Sequence, residues 1–352
     1  MMLDWKNVAA TAAKAFASGL CARYVLAAIK RKSLTLADLL SEDVVRAASF
    51  LATFTSSYKL MRNALEVAGL QNLKFAVLSS SALASLALPL GCAADRHTLT
   101  VLALSRAIGS AIAGEDGGAI APFLLYCLGF AFLSCIVLRW PTLMSRPFSK
   151  ALLGYVNYSD AQMEGMFRGK QFVECESVLH RGSCLAFHVK NALLTTLPAS
   201  LKLYSTIYAV PLILQLKKGQ RPLGLYLRNV CQSSFFLTAT CSAFALSLCL
   251  LRNCSQRSPT PLYVPAVSGL VASFGLLIES KSRRAEMIIL VLHQVTHVIL
   301  AWLMQEARKV KIHANLLQMI IFAVSAMRIL YMFDGVRQRK GSLINKILAF
   351  LL

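Results

Sequence analysis

Charge is what this chain of 352 residues has least of. Only 15% of it is Asp, Glu, Lys or Arg, against 57% hydrophobic residues, and its mean hydropathy is +0.59. Soluble globular chains average about 25% charged and 45–50% apolar residues, so both departures exclude an ordinary water-soluble fold. Acids are scarcer still, with 16 Asp and Glu facing 37 Lys and Arg. A cationic excess can mark a nucleic-acid binder, but such a protein needs its cations on one continuous face. Here they stand in short bunches between apolar runs. That pattern argues against nucleic acid as partner and matches the cationic loops of a membrane protein, which gain further attraction from anionic lipid.

Catalytic signatures are missing as well. No CxxC pair, P-loop, GxGxxG, nucleophile elbow or pair of intramembrane carboxylates survives its context, so neither an enzyme nor a cofactor is expected. The ten cysteines lie scattered, mostly in apolar segments such as those of Cys127, Cys135, Cys241 and Cys249. A free thiol there packs as a small hydrophobe, and no disulfide is expected. The opening M-M-L-D-W-K-N lacks a basic stretch, and Lys14 interrupts the apolar core that a signal peptide needs. Targeting information is therefore expected inside the chain.

Apolar runs are what the chain has in plenty. A span needs about 20 predominantly apolar residues. Candidates are Ala9–Ile29, Val45–Met61, Phe75–Ala94, Thr98–Ala113 and Ile120–Leu138, followed by Leu193–Leu214, Phe235–Leu251, Leu262–Ile278, Met287–Met304 and Leu316–Phe333. The predicted fold is an all-α, polytopic transmembrane helical bundle of two duplicated halves with four to five hydrophobic helices each. Phe50 matches Phe236, Arg62 matches Arg252, Ser85 matches Ser273 and Arg96 matches Arg284, at offsets of 186 to 190. Self-similarity of this kind points to a repeat. The first segment of each half carries charge, Lys14 and Arg23 or Lys202, as a helix lying in the interface does. Four full spans plus one shallow helix per half follow. The expected domains are a first membrane repeat at 1–155, a polar linker with a Cys/His segment at 156–190, and a second membrane repeat at 191–352.

Three sets of residues stand out. Lys281, Arg283 and Arg284, with Lys217 and Lys218, sit between apolar runs and read as topology anchors or lipid-headgroup contacts. Small residues four apart, Ser81 with Ser85 and Gly269 with Ser273, let helices approach closely where lipid supplies no hydrophobic drive. Cys175, His180, Cys184 and His188 are all zinc-ligating types, though their spacing fits no common zinc pattern closely. His293 and His297, four apart in a predicted span, lack the glutamate of a metalloprotease.

From Cys175 and H-R-G-S-C at His180, through S-L-K-L-Y at Ser200 and Q-S-S-F-F-L-T at Gln232, to L-I-E-S-K-S-R-R at Leu277 and Y-M-F-D-G at Tyr331, the chain resembles the transmembrane protein 135 family. That family is also called peroxisomal membrane protein 52 and is related in fold to a mitochondrial inner-membrane translocase family. Arg181 stands where the family usually has proline, which puts the role of the Cys-containing entry in doubt. The resemblance implies a non-catalytic multi-pass protein of the peroxisomal or, alternatively, the mitochondrial membrane. It further implies a link to organelle organisation, fission and lipid metabolism, with membrane lipid and other organelle membrane proteins as partners. Duplicated halves also suit a transporter or channel for a lipid-derived or small metabolite, and the Cys and His sets suit a metal-dependent membrane enzyme.

Overall fold

The computed structural model describes residues 8–18, 20, 42–68, 73–88, 93–112, 120–156, 158–159, 162, 167, 169, 175, 182–216, 223–309 and 314–335. The described residues form helices and no strand, as the apolar runs predict. Two compact units result, one of residues 1–114 with 303–352 and one of 115–302.

The first unit contains α1 (8–18), α2 (Glu42–Val67), α3 (Leu73–Ser85), α4 (Ala93–Ile112) and α12 (Ala314–Gly335). Its core centres on three aromatic rings, Phe50, Phe54 and Phe322, with centroids 5.9 to 6.1 Å apart. Edge-on pairs such as Phe54 with Phe322 set positive ring edges against negative faces. Leu88, Ala103 and Ala326 complete this packing. Lys59 donates to the Thr11 hydroxyl at 2.8 Å, which ties α2 to α1.

The second unit contains α5 (Ile120–Arg139), α6 (Arg146–Val156), α7 (Cys184–Asn191), α8 (Leu197–Leu216), α9 (Leu223–Ser255), α10 (Tyr263–Ser273) and α11 (Lys281–Lys309) as far as Trp302. A wide π turn, Ala192–Thr196, joins α7 to α8 without a break. Pro198 gives the reason: it has no N–H to donate to the Leu194 carbonyl, and its ring crowds that carbonyl. The α7–α8 rod runs antiparallel to α9, as Cys184 beside Cys249, Ser200 beside Thr238 and Tyr208 beside Ser233 show. Phe236, Phe244, Leu248, Val264, Leu276, Val291 and Val298 fill the interior with Tyr126 and Leu133.

Close backbone approach is concentrated at two glycines of this unit. A Cβ on Gly269 would fall 2.7 Å from the Ala131 Cα, and one on Gly275 would collide with the Thr240 side chain. At these points α10 and its 3-10 extension Phe274–Ile278 meet α5 and α9.

The fifth apolar segments keep unexpected company. Ile120–Arg139 belongs to the unit of the later helices, and Ala314–Gly335 to that of the early ones. Among the described residues three helices, Ile120–Arg139, Leu223–Ser255 and Arg283–Ala307, are long and apolar enough to cross a membrane. Tyr263–Ile278 and Asn315–Met327 are shorter apolar helices. Glu42–Val67 has the length but carries Arg46, Lys59 and Arg62 along with its acids.

Candidate functional site

The 115–302 unit holds two clusters built around arginine, both fed by the α7–α8 rod, with an apolar pocket beside one of them.

The first surrounds Arg252, near the C-terminal end of α9, which is only 1% exposed. Its Nη1 donates to the Cys175 Sγ at 3.8 Å, and its guanidinium lies 5.8 Å from the centroid of the buried Phe167 ring. Cys175 donates to the Asn253 Oδ1 at 3.1 Å, while the Asn253 amide donates to the Cys184 Sγ at 3.8 Å. Cys249 donates to that same sulfur at 3.3 Å, and its backbone carbonyl accepts from the Cys175 thiol at 3.9 Å. Three cysteines thus gather at one point, with Cys249 beside both of the others. Hydrogen bonding with Cys249, supported by the positive charge of Arg252, holds the Cys175 thiol down at about 7 against the opposing effect of burial. His188, buried one turn along α7 from Cys184, packs edge-on against Tyr158 and Phe187. The Tyr158 hydroxyl donates to the Ala245 carbonyl, and burial pushes its phenol up.

The second cluster surrounds Arg283, in the first turn of α11. Its Nη1 donates to the Ser233 hydroxyl at 2.8 Å and to the Tyr208 hydroxyl. Its guanidinium lies over two ring faces, 4.8 Å from the Tyr208 centroid and 5.4 Å from that of Tyr204. Arg284 turns the other way and caps the 3-10 segment, donating to the carbonyls of Glu279 at 2.9 Å and Leu277 at 2.7 Å. Guanidinium groups satisfy such terminal carbonyls well. Gln232 takes the Ile278 carbonyl at 2.8 Å. Glu279 is 2% exposed and accepts from the Ser280 N–H at 3.0 Å. Lys281 is exposed. The L-I-E-S-K-S-R-R element therefore turns two of its three cations onto protein partners.

Tyr204 also forms part of the pocket wall. The pocket, of about 190 Å³, is lined by Tyr126, Phe130, Phe148, Tyr155, Phe236 and Met287 among other apolar groups. It exceeds the cavity of about 150 Å³ that accepts a benzene ring in a protein core. With Arg283 one helical turn from Met287, an apolar slot stands beside a cation.

The sequence-predicted residues distribute as follows. Ser81, Ser85, Gly269 and Ser273 are buried, with the Ser85 hydroxyl on the Ser81 carbonyl at 2.7 Å and that of Ser273 on the Leu270 carbonyl at 2.6 Å. His180, Lys217 and Lys218 lie outside the described residues. Of the Cys/His set, Cys175, Cys184 and His188 come to the Arg252 cluster, and His293 and His297 are half-buried on α11. Among the described residues no three His, Cys, Asp or Glu side chains are placed to hold a metal ion. Sequence reasoning missed Arg252, Asn253 and Cys249 as a site, and Tyr204, Tyr208 and Ser233 as the cradle of Arg283. The L-R-N tripeptide at 251–253, matching M-R-N at 61–63, was the available signal.

Residues 174–302 match the family model for the N-terminal cysteine-rich region of Transmembrane protein 135. Neither the curated proteins nor the solved structures contain a match.

Proposed function

Because the chain belongs to the transmembrane protein 135 family through residues 174–302, we propose that it is a multi-pass organelle membrane protein that binds lipid without catalysis. Its place is the peroxisomal or mitochondrial membrane, where it organises lipid and partner proteins in fission and lipid metabolism. The observation that carries this reading is the apolar pocket bounded by Tyr126, Phe236 and Met287 and flanked through Tyr204 by Arg283. Apolar walls with one nearby cation suit an acyl chain that ends in an anionic group. Lys281, exposed at the start of α11, supplies a further contact for headgroups.

The test uses the full chain in nanodiscs and a photoactivatable long-chain fatty acid. Labelling should fall on pocket peptides, be competed by unlabelled fatty acid, leave the probe chemically unchanged, and drop at least tenfold in Leu237→Trp, which fills the slot. Labelling spread over the lipid-facing surface, unaffected by Leu237→Trp, overturns the reading. The same pocket also supports the transporter alternative, which predicts flux of the fatty acid across proteoliposomes; binding without flux favours the organising role. Terminal tags combined with selective permeabilisation report the organelle and sidedness.

A further inference from the structure

We propose that Cys175, Cys249 and Cys184 form a thiol–disulfide exchange site in which Cys249 is the partner shared by the other two.

Geometry carries this assignment. The Cys184 and Cys249 sulfurs are 3.3 Å apart, and a disulfide needs about 2.05 Å. Cys175 also lies beside Cys249, its sulfur 3.9 Å from the Cys249 carbonyl oxygen and 3.1 Å from the Asn253 Oδ1. Asn253 holds both outer sulfurs, accepting from Cys175 and donating to Cys184. Arg252 aims Nη1 at Cys175, the sulfur that benefits most from a counter-charge because it is fully buried. A guanidinium among thiols favours thiolate chemistry and opposes a bound cation. Exposure sets the direction of entry: Cys184 is half-buried while Cys175 and Cys249 are buried, so an external reagent arrives at Cys184. The other described thiols have different settings. Cys135 donates to the Leu262 carbonyl, Cys231 and Cys254 are exposed, and Cys127 and Cys241 are buried.

The oxidant class is a hydroperoxide. The Cys184 thiolate attacks one peroxide oxygen, the O–O bond breaks, and the other oxygen leaves with a proton as an alcohol, or as water from hydrogen peroxide. Cys184 becomes a sulfenic acid. The Cys249 sulfur then attacks the Cys184 sulfur, forming the S–S bond and expelling hydroxide, which takes the Cys249 proton and departs as water. Two thiols lose two electrons and the peroxide gains them. Next, the Cys175 thiolate beside Arg252 attacks the Cys249 sulfur; Cys184 leaves as thiolate and picks up a proton, so the disulfide passes inward with no net redox change. An external dithiol restores the three thiols by reducing the Cys184–Cys249 bond, which reverse exchange from Cys175–Cys249 regenerates.

The experiment oxidises the full-length protein in nanodiscs with hydrogen peroxide, blocks remaining thiols with N-ethylmaleimide in acid, and maps linked peptides by mass spectrometry. Wild-type protein should yield two linkages, Cys184–Cys249 and Cys175–Cys249, both reversed by dithiothreitol. Cys175→Ser should retain the first alone, and Cys249→Ser should lose both. Arg252→Lys should keep the wild-type ratio of the two, whereas Arg252→Gln should raise the Cys175–Cys249 share at least threefold, since its competing thiolate loses the counter-charge. The wild-type map decides by itself if a variant fails to fold. Linkages running through Cys231 or Cys254, an unaltered pattern in Cys249→Ser, or a stoichiometric metal that shields these thiols from peroxide overturns the proposal.

Discussion

Arg252 and Arg283 occupy the same unit, each in a cluster that includes residues of the α7–α8 rod, yet their surroundings differ in kind. Arg252 sits among sulfurs and an amide, 1% exposed, with the Phe167 ring near its guanidinium. Arg283, with its side chain 16% exposed, lies between two phenol faces and two hydroxyls and reaches Glu286 at 3.7 Å. Desolvating a cation costs several kcal/mol unless a charge or a polarised group compensates. At Arg283, ring quadrupoles and hydroxyl oxygens compensate. At Arg252, a thiol compensates, and a thiol can ionise and be oxidised. The stability of one cluster should therefore follow pH and redox state, while the other should be indifferent to both.

The sharpest way to break this contrast is truncation. Arg252→Ala should destabilise the detergent-solubilised protein by about 3 kcal/mol or more, the range seen when one partner of a buried charged cluster is removed. Arg283→Ala should cost about 2 kcal/mol, the combined scale of a partly desolvated cation–π contact and a charged hydrogen bond. Thermal unfolding monitored by circular dichroism ranks the two, and equal losses would erase the distinction.

Acidity offers a second test. The Cys175 thiol lies near 7 in the folded chain against an ordinary value of 9.0. A depressed value means that the folded state favours the thiolate. Its contribution is complete above pH 9, declines as pH falls, and is lost on passing through 7. The melting temperature of the wild type relative to Cys175→Ser should rise from pH 7 to pH 9, and Arg283→Ala should leave that difference intact. Two finer changes complete the series. Tyr208→Phe keeps the ring face and removes the hydroxyl, so about 1 kcal/mol should be lost. Glu286→Gln should change stability by no more than about 0.5 kcal/mol, because its carboxylate is 69% exposed.

Much of the scaffold was legible in the sequence. Apolar runs announced helices at Ile120, Phe235, Leu262 and Met287, since a helix satisfies every backbone group within its own segment inside lipid. The company each helix keeps was hidden: Ile120–Arg139 is apolar on all sides, and such a surface names no partner. The small contact points decide it, as where Gly269 admits Ala131 and Ser134. The sites were half legible. Cys175 and Cys184 drew notice as metal-ligating types, but Cys249 sits 65 residues beyond Cys184 inside an apolar run and reads as filler. In L-I-E-S-K-S-R-R the cations were obvious, whereas Tyr204, Tyr208 and Ser233, which receive Arg283, carry no mark until two helices lie side by side.

The π turn at Ala192–Thr196 has a consequence for how both clusters can coexist on one rod. A regular helix advances about 100° per residue, so Cys184 and Ser200, which meet Cys249 and Thr238 of α9, would point about 160° apart. Absorbing one residue in the wide turn reduces that angle to about 60°, and both parts of the rod come to address the same neighbour, α9. The rod behaves as a camshaft with one correcting spacer. Removing a single residue from this stretch would straighten the shaft with its lobes still aligned, whereas adding one would turn Cys184 away from Cys249 and leave the tyrosines in place.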